Sequence, residues 1–124
     1  MRTALSSLLL MLLLSLPATA TDTNSVKYWL PHCKALISAG QTEMKGTYLA
    51  GECLGMIKAS AFIIQAALPG GLPFRACLPD NAITTDQLVT VVLRWMEKKP
   101  DLAGADFIVV TMLAMAATWP CKAA

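Results

Sequence analysis

The sequence lacks several features on which common functions depend. It contains a single histidine, His32, and no Cys-x-x-Cys pair among its four cysteines. A zinc knuckle, a haem attachment site and a redox-active dithiol usually need such pairs, so none of these sites is predicted. Only 15% of the residues are charged, and no basic cluster exceeds the pair Lys98 and Lys99. The chain therefore has no electrostatic footprint for binding nucleic acid.

The side chains that catalysis requires are also few. A Ser/His/Asp or Cys/His arrangement needs a nucleophile and an oriented base, and no such partner is recognisable for His32. The carboxylates include four with no paired spacing, at Glu43, Glu52, Asp80 and Asp101. The sequence therefore predicts no catalytic residue, no cofactor and no metal site. We therefore expect that the protein is not an enzyme.

The N-terminus has the pattern of an export signal. Arg2 supplies the positive charge, residues 8–16 form an apolar run, and Ala18-Thr19-Ala20 is a small-residue cleavage site. The apolar run is too short to span a bilayer core of about 30 Å, so no stable membrane span is expected after cleavage. Residues 1–20 are thus predicted to be a signal peptide, and residues 21–124 the exported protein.

Cleavage would leave 104 of the 124 residues, which is enough for one domain. Removing Arg2 leaves nine Lys and Arg residues against eight Asp and Glu, so the mature chain is close to neutral. Apolar residues recur at helical spacing and the alternation of a half-buried strand is absent. We therefore predict an all-α fold, a single small domain of about four helices.

Local signals predict where these helices begin and end. The first spans residues 26–39, with Ser25 as its cap and with Pro31 in the first turn or delaying the start. The second spans residues 47–68. The third begins at a capping box in which Thr84 and Gln87 exchange hydrogen bonds, and it ends before Pro100. The fourth is expected to be capped by Asp101 and to end near Thr118.

The helical spacing also predicts which faces are buried. In the third helix the predicted core residues are Leu88, Val91, Val92, Trp95 and Met96. The fourth helix is apolar almost all round between Phe107 and Ala117, so it should be the centre of the domain or half of a subunit interface.

In the second helix, Gly51, Gly55 and Ala59 lie at intervals of four residues. Glycine costs about 1 kcal/mol in a helix interior, so we expect something to pack closely against this ridge. The two apolar features together predict a homodimer.

All four cysteines lie in the exported part, where two disulfides are expected. In an antiparallel pair of helices with a turn near residues 40–46, Cys33 and Cys53 lie at one level. Cys77 precedes the third helix and Cys121 follows the fourth, at the open end of a second hairpin. The predicted bonds are therefore Cys33–Cys53 and Cys77–Cys121.

A connection of 15 residues, 69–83, separates the second and third helices. Connections of this length without regular structure are uncommon in compact domains and are usually functional or tethered. The connection carries mixed apolar and cationic side chains, which are typical of a protein contact. The residues predicted to bind a partner are Leu72, Phe74, Arg75 and Asp80. The alternative for Phe74 is that its ring folds back onto the core.

The order of short motifs along residues 29–121 resembles the Rap/Tai family of immunity proteins. These motifs are Gly51-Glu52-Cys53-Leu54-Gly55-Met56-Ile57, Cys77-Leu78-Pro79, Thr84 to Gln87 with Val91-Val92, Lys99-Pro100-Asp101-Leu102, and Ala116-Ala117-Thr118-Trp119-Pro120-Cys121.

The resemblance implies a periplasmic, all-helical and commonly dimeric protein. It further implies an inhibitor that binds and blocks a peptidoglycan amidase effector of a type VI secretion system. Only the four cysteines carry over as site residues. Two other interpretations stay open: a periplasmic stress or chaperone protein of similar size, and a lipid- or ligand-binding helical module, suggested by the apolar helix of residues 102–118.

Overall fold

The computed structural model describes residues 22–38, 48–66, 75–80 and 82–122. These residues form four α-helices and no strand, which confirms the all-α prediction. A short 3₁₀ helix, η1 (Pro100–Leu102), lies between the third and fourth helices. The predicted signal peptide lies outside the described residues. The α-helices are α1 (Val26–Ser38), α2 (Tyr48–Ala66), α3 (Thr85–Glu97) and α4 (Phe107–Thr118).

Helix α1 begins where the sequence predicts, at a cap formed by Ser25. The Ser25 Oγ accepts a hydrogen bond from the Tyr28 backbone N–H at 3.3 Å. The prediction for Pro31 was wrong, because it is the sixth residue of the helix rather than part of its first turn. Tertiary contacts fix the start of the helix: the Val26 and Lys27 N–H groups donate to the carbonyls of Ala105 and Ala103 at 2.9 and 2.8 Å.

Helix α3 has the predicted capping box. The Gln87 N–H donates to the Thr84 Oγ1 at 3.2 Å, and the Thr84 N–H donates to the Gln87 Oε1 at 2.9 Å. The predicted core face needs correction, because Val91 and Trp95 are only half-buried. The buried residues are instead Leu88, Val89, Val92, Leu93 and Met96. The helix is therefore rotated from the predicted orientation, so that Val89 and Leu93 pack inwards.

The cap predicted for the fourth helix was also wrong. Asp101 lies inside η1, and α4 begins later, after Asp106. The Asp106 Oδ1 accepts a hydrogen bond from the Val109 N–H at 3.1 Å. The later start has a tertiary cause, because the Phe107 N–H donates to the Asn24 carbonyl at 2.8 Å, and the carbonyls of Ala103 and Ala105 accept hydrogen bonds from the first two residues of α1. The predicted end at Thr118 is confirmed.

The core lies where the four helices meet. Helix α1 packs against α2 and α3, and α4 packs against the same two helices. The largest fully buried side chains include Phe107, Ile57, Ile64 and Leu93. The Phe107 ring lies 6.1 Å from the Trp29 ring, measured between centroids, and this contact joins α4 to α1. On the surface, the Lys34 Nζ and the Glu97 Oε1 form an ion pair at 2.7 Å between α1 and α3.

Both predicted disulfides are confirmed. Cys33 and Cys53 join α1 to α2 with 5.6 Å between their Cα atoms. Cys77 and Cys121 join the segment before α3 to the segment after α4, with 4.9 Å between Cα atoms. The antiparallel placement of each helix pair brings its two cysteines to one level, as the spacing predicts.

Helix α2 is the most exposed of the apolar elements. It has 19 residues and is long and apolar enough to cross a membrane by length and composition, a test that the core helix of a soluble protein also passes. One face packs into the domain through Ala50, Cys53, Ile57, Ser60, Ala61 and Ile64. The opposite face carries the exposed aromatic side chains of Tyr48 and Phe62. This face borders both surface grooves of the domain that are considered next.

Candidate functional site

The predicted partner-binding loop is described in its second half, residues 75–80. Arg75 and Asp80 are exposed, as a partner contact requires. Between them the backbone is fixed: the Cys77 N–H donates to the Trp119 carbonyl at 2.8 Å, and Ala76 is buried. The other two predicted contact residues, Leu72 and Phe74, lie outside the described residues. The described half of the loop is thus held against the end of α4 by a hydrogen bond as well as by the disulfide of Cys77.

An open groove of about 410 Å³ lies between α2, the end of this loop and the start of α3. We call it the α2–α3 groove. Of the predicted contact residues within the described ranges, Asp80 lines the groove and Arg75 does not. The groove is lined by Lys58, Ala61, Phe62, Gln65, Leu78, Pro79, Asp80, Ile83, Thr84, Thr85 and Leu88.

The α2–α3 groove combines an apolar floor with two charges of opposite sign. Leu88 is buried beneath it, while Phe62 is 73% exposed at its edge. Lys58 and Asp80 both line it and form no ion pair with each other within the described residues. This arrangement is suited to a protein partner, because interface cores are apolar and aromatic while charged groups at the rim set orientation.

Phe62 and Lys58 are functional candidates that the sequence reasoning missed. They lie four residues apart on one side of α2, away from the buried Ile57 and Ile64. Their position around the helix axis, on the side away from the core residues, is the signal that could have identified them. It was obscured because α2 is apolar on nearly every side.

A second open groove, of about 360 Å³, lies on the other side of α2, next to α4. We call it the α2–α4 groove. Its lining is almost entirely apolar, and it includes Gly55, Met56, Ala59, Ile63 and Ile108. Within the described part of the chain nothing packs on this ridge of small residues, and the close contact predicted there stays a prediction. A Cβ atom added to Gly51 or Gly55 would meet nothing within 4 Å, because this ridge faces away from the domain.

The cysteines and the single histidine, which are the other reactive side chains, take part in disulfides or pack against aromatic rings. All four cysteines are in disulfides, so no free thiol remains. The His32 ring lies among aromatic rings, 5.2 Å from the Tyr28 centroid and 6.3 Å from that of Trp29. Within the ranges that the structure describes, no three His, Cys, Asp or Glu residues are grouped so that they could hold a metal ion.

The comparisons with known proteins give one match. A family model described as Rap1a immunity proteins matches residues 25–121, from the cap of α1 to the last disulfide cysteine. No curated protein matches the chain, and no solved structure does.

Proposed function

The chain belongs to the Rap1a immunity protein family, and on that basis we propose that it is exported to the periplasm, where it binds and inhibits a peptidoglycan amidase effector delivered by type VI secretion. The observation that carries the proposal is the family match, which covers all four helices and both disulfides. Export is supported by the signal-like residues 1–20 and by the two disulfides, which persist in oxidising compartments.

The contact proposed for the effector is the loop that includes Leu72, Phe74, Arg75 and Asp80, together with the α2–α3 groove beside it. The described part of this loop is held by the Cys77–Cys121 disulfide and by the hydrogen bond from Cys77 to Trp119. A segment held in this way loses less conformational entropy when it binds, so more of the contact energy appears as affinity.

Within this contact, Phe74 and Arg75 are proposed as the main anchors because aromatic and Arg side chains dominate binding hot spots. Phe62 is added as a third anchor, since its ring is 73% exposed at the edge of the groove. Burying an aromatic side chain of this kind removes on the order of 150 to 250 Å² of surface from water.

The proposal is tested with an amidase effector encoded near the gene. The protein should bind this effector, protect cells that express it in the periplasm, and release no product from peptidoglycan by itself. The double variant Phe74→Ala/Arg75→Ala should weaken binding by more than about 2 kcal/mol, the hot-spot threshold. Isothermal titration calorimetry measures the affinity, and circular dichroism checks that the fold is intact.

Arg94→Ala is the matched control, because Arg94 is exposed on α3 and does not line the groove. It should bind the effector as the unmodified protein does. A double variant that still protects cells would contradict the loop assignment. Failure of the unmodified protein to protect against any neighbouring effector would contradict the immunity function itself.

We also propose that the protein is a homodimer. The support is the large apolar side chains left exposed on α2 and α4, which include Ile63 and Val109 at 46% and 43% exposure. Sedimentation that shows only monomer at micromolar concentration would refute this.

A further inference from the structure

The two disulfides differ in their exposure to solvent. Cys33 and Cys53, which join α1 to α2, are both 0% exposed. Cys77 is exposed and Cys121 is half-buried. A thiolate must reach a sulfur atom of a disulfide before exchange takes place, so solvent access decides which bond reacts in the folded protein. The Cys77–Cys121 bond is therefore open to attack, and the Cys33–Cys53 bond is closed to it.

The exposed bond fixes the partner-binding loop. Cys77 lies in the described half of this loop, and the disulfide ties that half to the segment after α4. The backbone adds an isolated bridge between Ala76 and Pro120, and the Cys77 N–H donates to the Trp119 carbonyl at 2.8 Å. One hydrogen bond shifts a conformational equilibrium by about two- to tenfold, whereas a covalent bond prevents separation altogether. Without the disulfide, noncovalent contacts would have to hold the loop against the end of α4.

We propose that the Cys77–Cys121 bond is a site of thiol–disulfide exchange. A dithiol reduces this bond while Cys33–Cys53 stays oxidised, and the reduction frees the partner-binding loop from the end of α4. The exchange site stands on the exposure of the bond. The consequence for the effector rests on the function proposed above, in which this loop is part of the contact.

The exchange proceeds in two balanced steps. One thiolate of the dithiol attacks the Sγ of Cys77, a mixed disulfide forms, and Cys121 leaves as a thiolate. The second thiol of the reductant loses its proton and attacks the reductant's own sulfur in the mixed disulfide, and Cys77 leaves as a thiolate. Both cysteine thiolates take up the protons that the dithiol released. The reductant gives up two electrons and two protons and becomes a disulfide, and the protein gains two thiols.

Local charge favours these steps. Arg75 lies two residues before Cys77 and is exposed. Lys122 directly follows Cys121 and is exposed as well. A positive charge beside a cysteine stabilises its thiolate. Because a thiolate attacks and a thiolate leaves in each step, the two cations assist at both stages.

The core of the domain does not depend on the loop. The largest fully buried side chains include Ile57 and Ile64 on α2, Leu93 on α3 and Phe107 on α4. The buried disulfide still joins α1 to α2 after the exposed one is reduced. Segments with few buried contacts open at a lower free energy than the whole domain, so the loop should detach while the four helices stay packed.

Differential labelling tests the exchange site. The folded protein is treated with dithiothreitol for increasing times, and excess N-ethylmaleimide then traps the free thiols. The exposed pair should be labelled at least about a hundredfold faster than the buried pair, which reacts only from opened molecules, about one in a thousand or fewer. Mass spectrometry assigns each label, because trypsin places the four cysteines in four separate peptides, residues 28–34, 46–58, 76–94 and 99–122.

Limited proteolysis tests the release of the loop. Trypsin cleaves after Arg75 only when the chain detaches there, and Ala76, on the other side of the peptide bond, is 3% exposed. After brief reduction and capping, cleavage at this bond should be at least about tenfold faster than in the oxidised protein, because the segment then opens locally. Lys58, inside α2, is the control site and should resist trypsin in both forms, since its helix stays folded.

Paired variants test the consequence for the effector. Cys77→Ser/Cys121→Ser should bind the amidase effector at least about tenfold more weakly, since ordering the backbone of even one freed residue costs about five- to thirtyfold in affinity. Cys33→Ser/Cys53→Ser is the matched control, and it should bind within about threefold of the unmodified protein because its bond does not line the α2–α3 groove. Isothermal titration calorimetry measures the affinities, and circular dichroism checks both folds. The reduced and capped unmodified protein gives the same comparison without substitutions.

The outcomes separate the proposals. Selective labelling of the exposed pair, faster cleavage after Arg75 and weaker effector binding support the exchange site and its effect. Equal labelling rates for all four cysteines overturn the exchange site. Selective labelling with unchanged cleavage and unchanged affinity overturns the release of the loop. If the oxidised protein binds no amidase while labelling and cleavage behave as expected, the inhibitor proposal fails and the exchange site stands.

Discussion

The hydroxyl of Thr111 offers a direct test of the packing in α4. Thr111 is fully buried, and its Oγ1 has no hydrogen-bond partner among the described residues. Thr118 lies in the last turn of the same helix and differs from Thr111 in both respects. It is exposed, and its Oγ1 donates to the Ala114 carbonyl at 2.8 Å. The two threonines therefore form a natural pair for substitution by valine, which has nearly the same shape but no hydroxyl.

Thr111→Val should stabilise the protein by about 1 to 2 kcal/mol. A buried polar group without a partner costs about 1 to 3 kcal/mol, and valine removes that cost while filling the same space. Helix propensity does not oppose the change, since threonine and valine rank similarly. For a domain of this size, each kcal/mol corresponds to about 4 to 8 °C in Tm.

The assay is urea unfolding followed by circular dichroism, with both disulfides intact. Protein concentration is kept fixed, because dimerisation would make stability depend on it. Thr118→Val should change stability by less than about 0.5 kcal/mol, the usual limit for exposed sites. If Thr111→Val is no more stable than Thr118→Val, the Thr111 hydroxyl is hydrogen-bonded in the folded protein and the reasoning above is refuted.

Two further predictions follow from the fold. Removing one disulfide by paired Cys→Ala substitutions should cost about 3 kcal/mol for Cys33–Cys53, which spans 20 residues, and about 4 kcal/mol for Cys77–Cys121, which spans 44. Urea unfolding of the two variants measures the difference, and equal losses would contradict the chain-entropy explanation. Asp106→Ala should cost about 1 kcal/mol because it removes the cap of α4, whereas Asp101→Ala should be nearly neutral. Thermal unfolding decides between them, and the reverse order would reinstate Asp101 as the cap.

The sequence predicted those features whose causes lie within a few residues. The capping box of Thr84 and Gln87 is closed by two hydrogen bonds across three residues, so its chemistry is complete in the local sequence. The disulfide pairing could be predicted because the helix lengths place Cys33 and Cys53 equally far from their turn. Arg75 and Asp80 are exposed, and their role as contact residues stays a prediction.

The orientation of α3 could not be predicted from spacing. Seven of the nine residues from Leu88 to Met96 are apolar, so two neighbouring stripes fit the helical period equally well. The choice of Val89 and Leu93 over Val91 and Trp95 was decided by the helices that pack against α3. The start of α4 was decided in the same way, because Phe107 is bonded to Asn24, which is more than 80 residues earlier in the chain.

By itself, then, the sequence determined the helices, the local caps of α1 and α3 and the two disulfides, because each depends on hydrogen bonds or chain lengths within one element or one hairpin. Only the tertiary structure decided which face of α2 is turned outwards. That helix is apolar on nearly every side, and its buried side is set by Cys53, Ile57 and Ile64 packing into the domain. The same packing leaves Tyr48, Gly55 and Phe62 in solvent, since one helix cannot bury both faces against a single small domain.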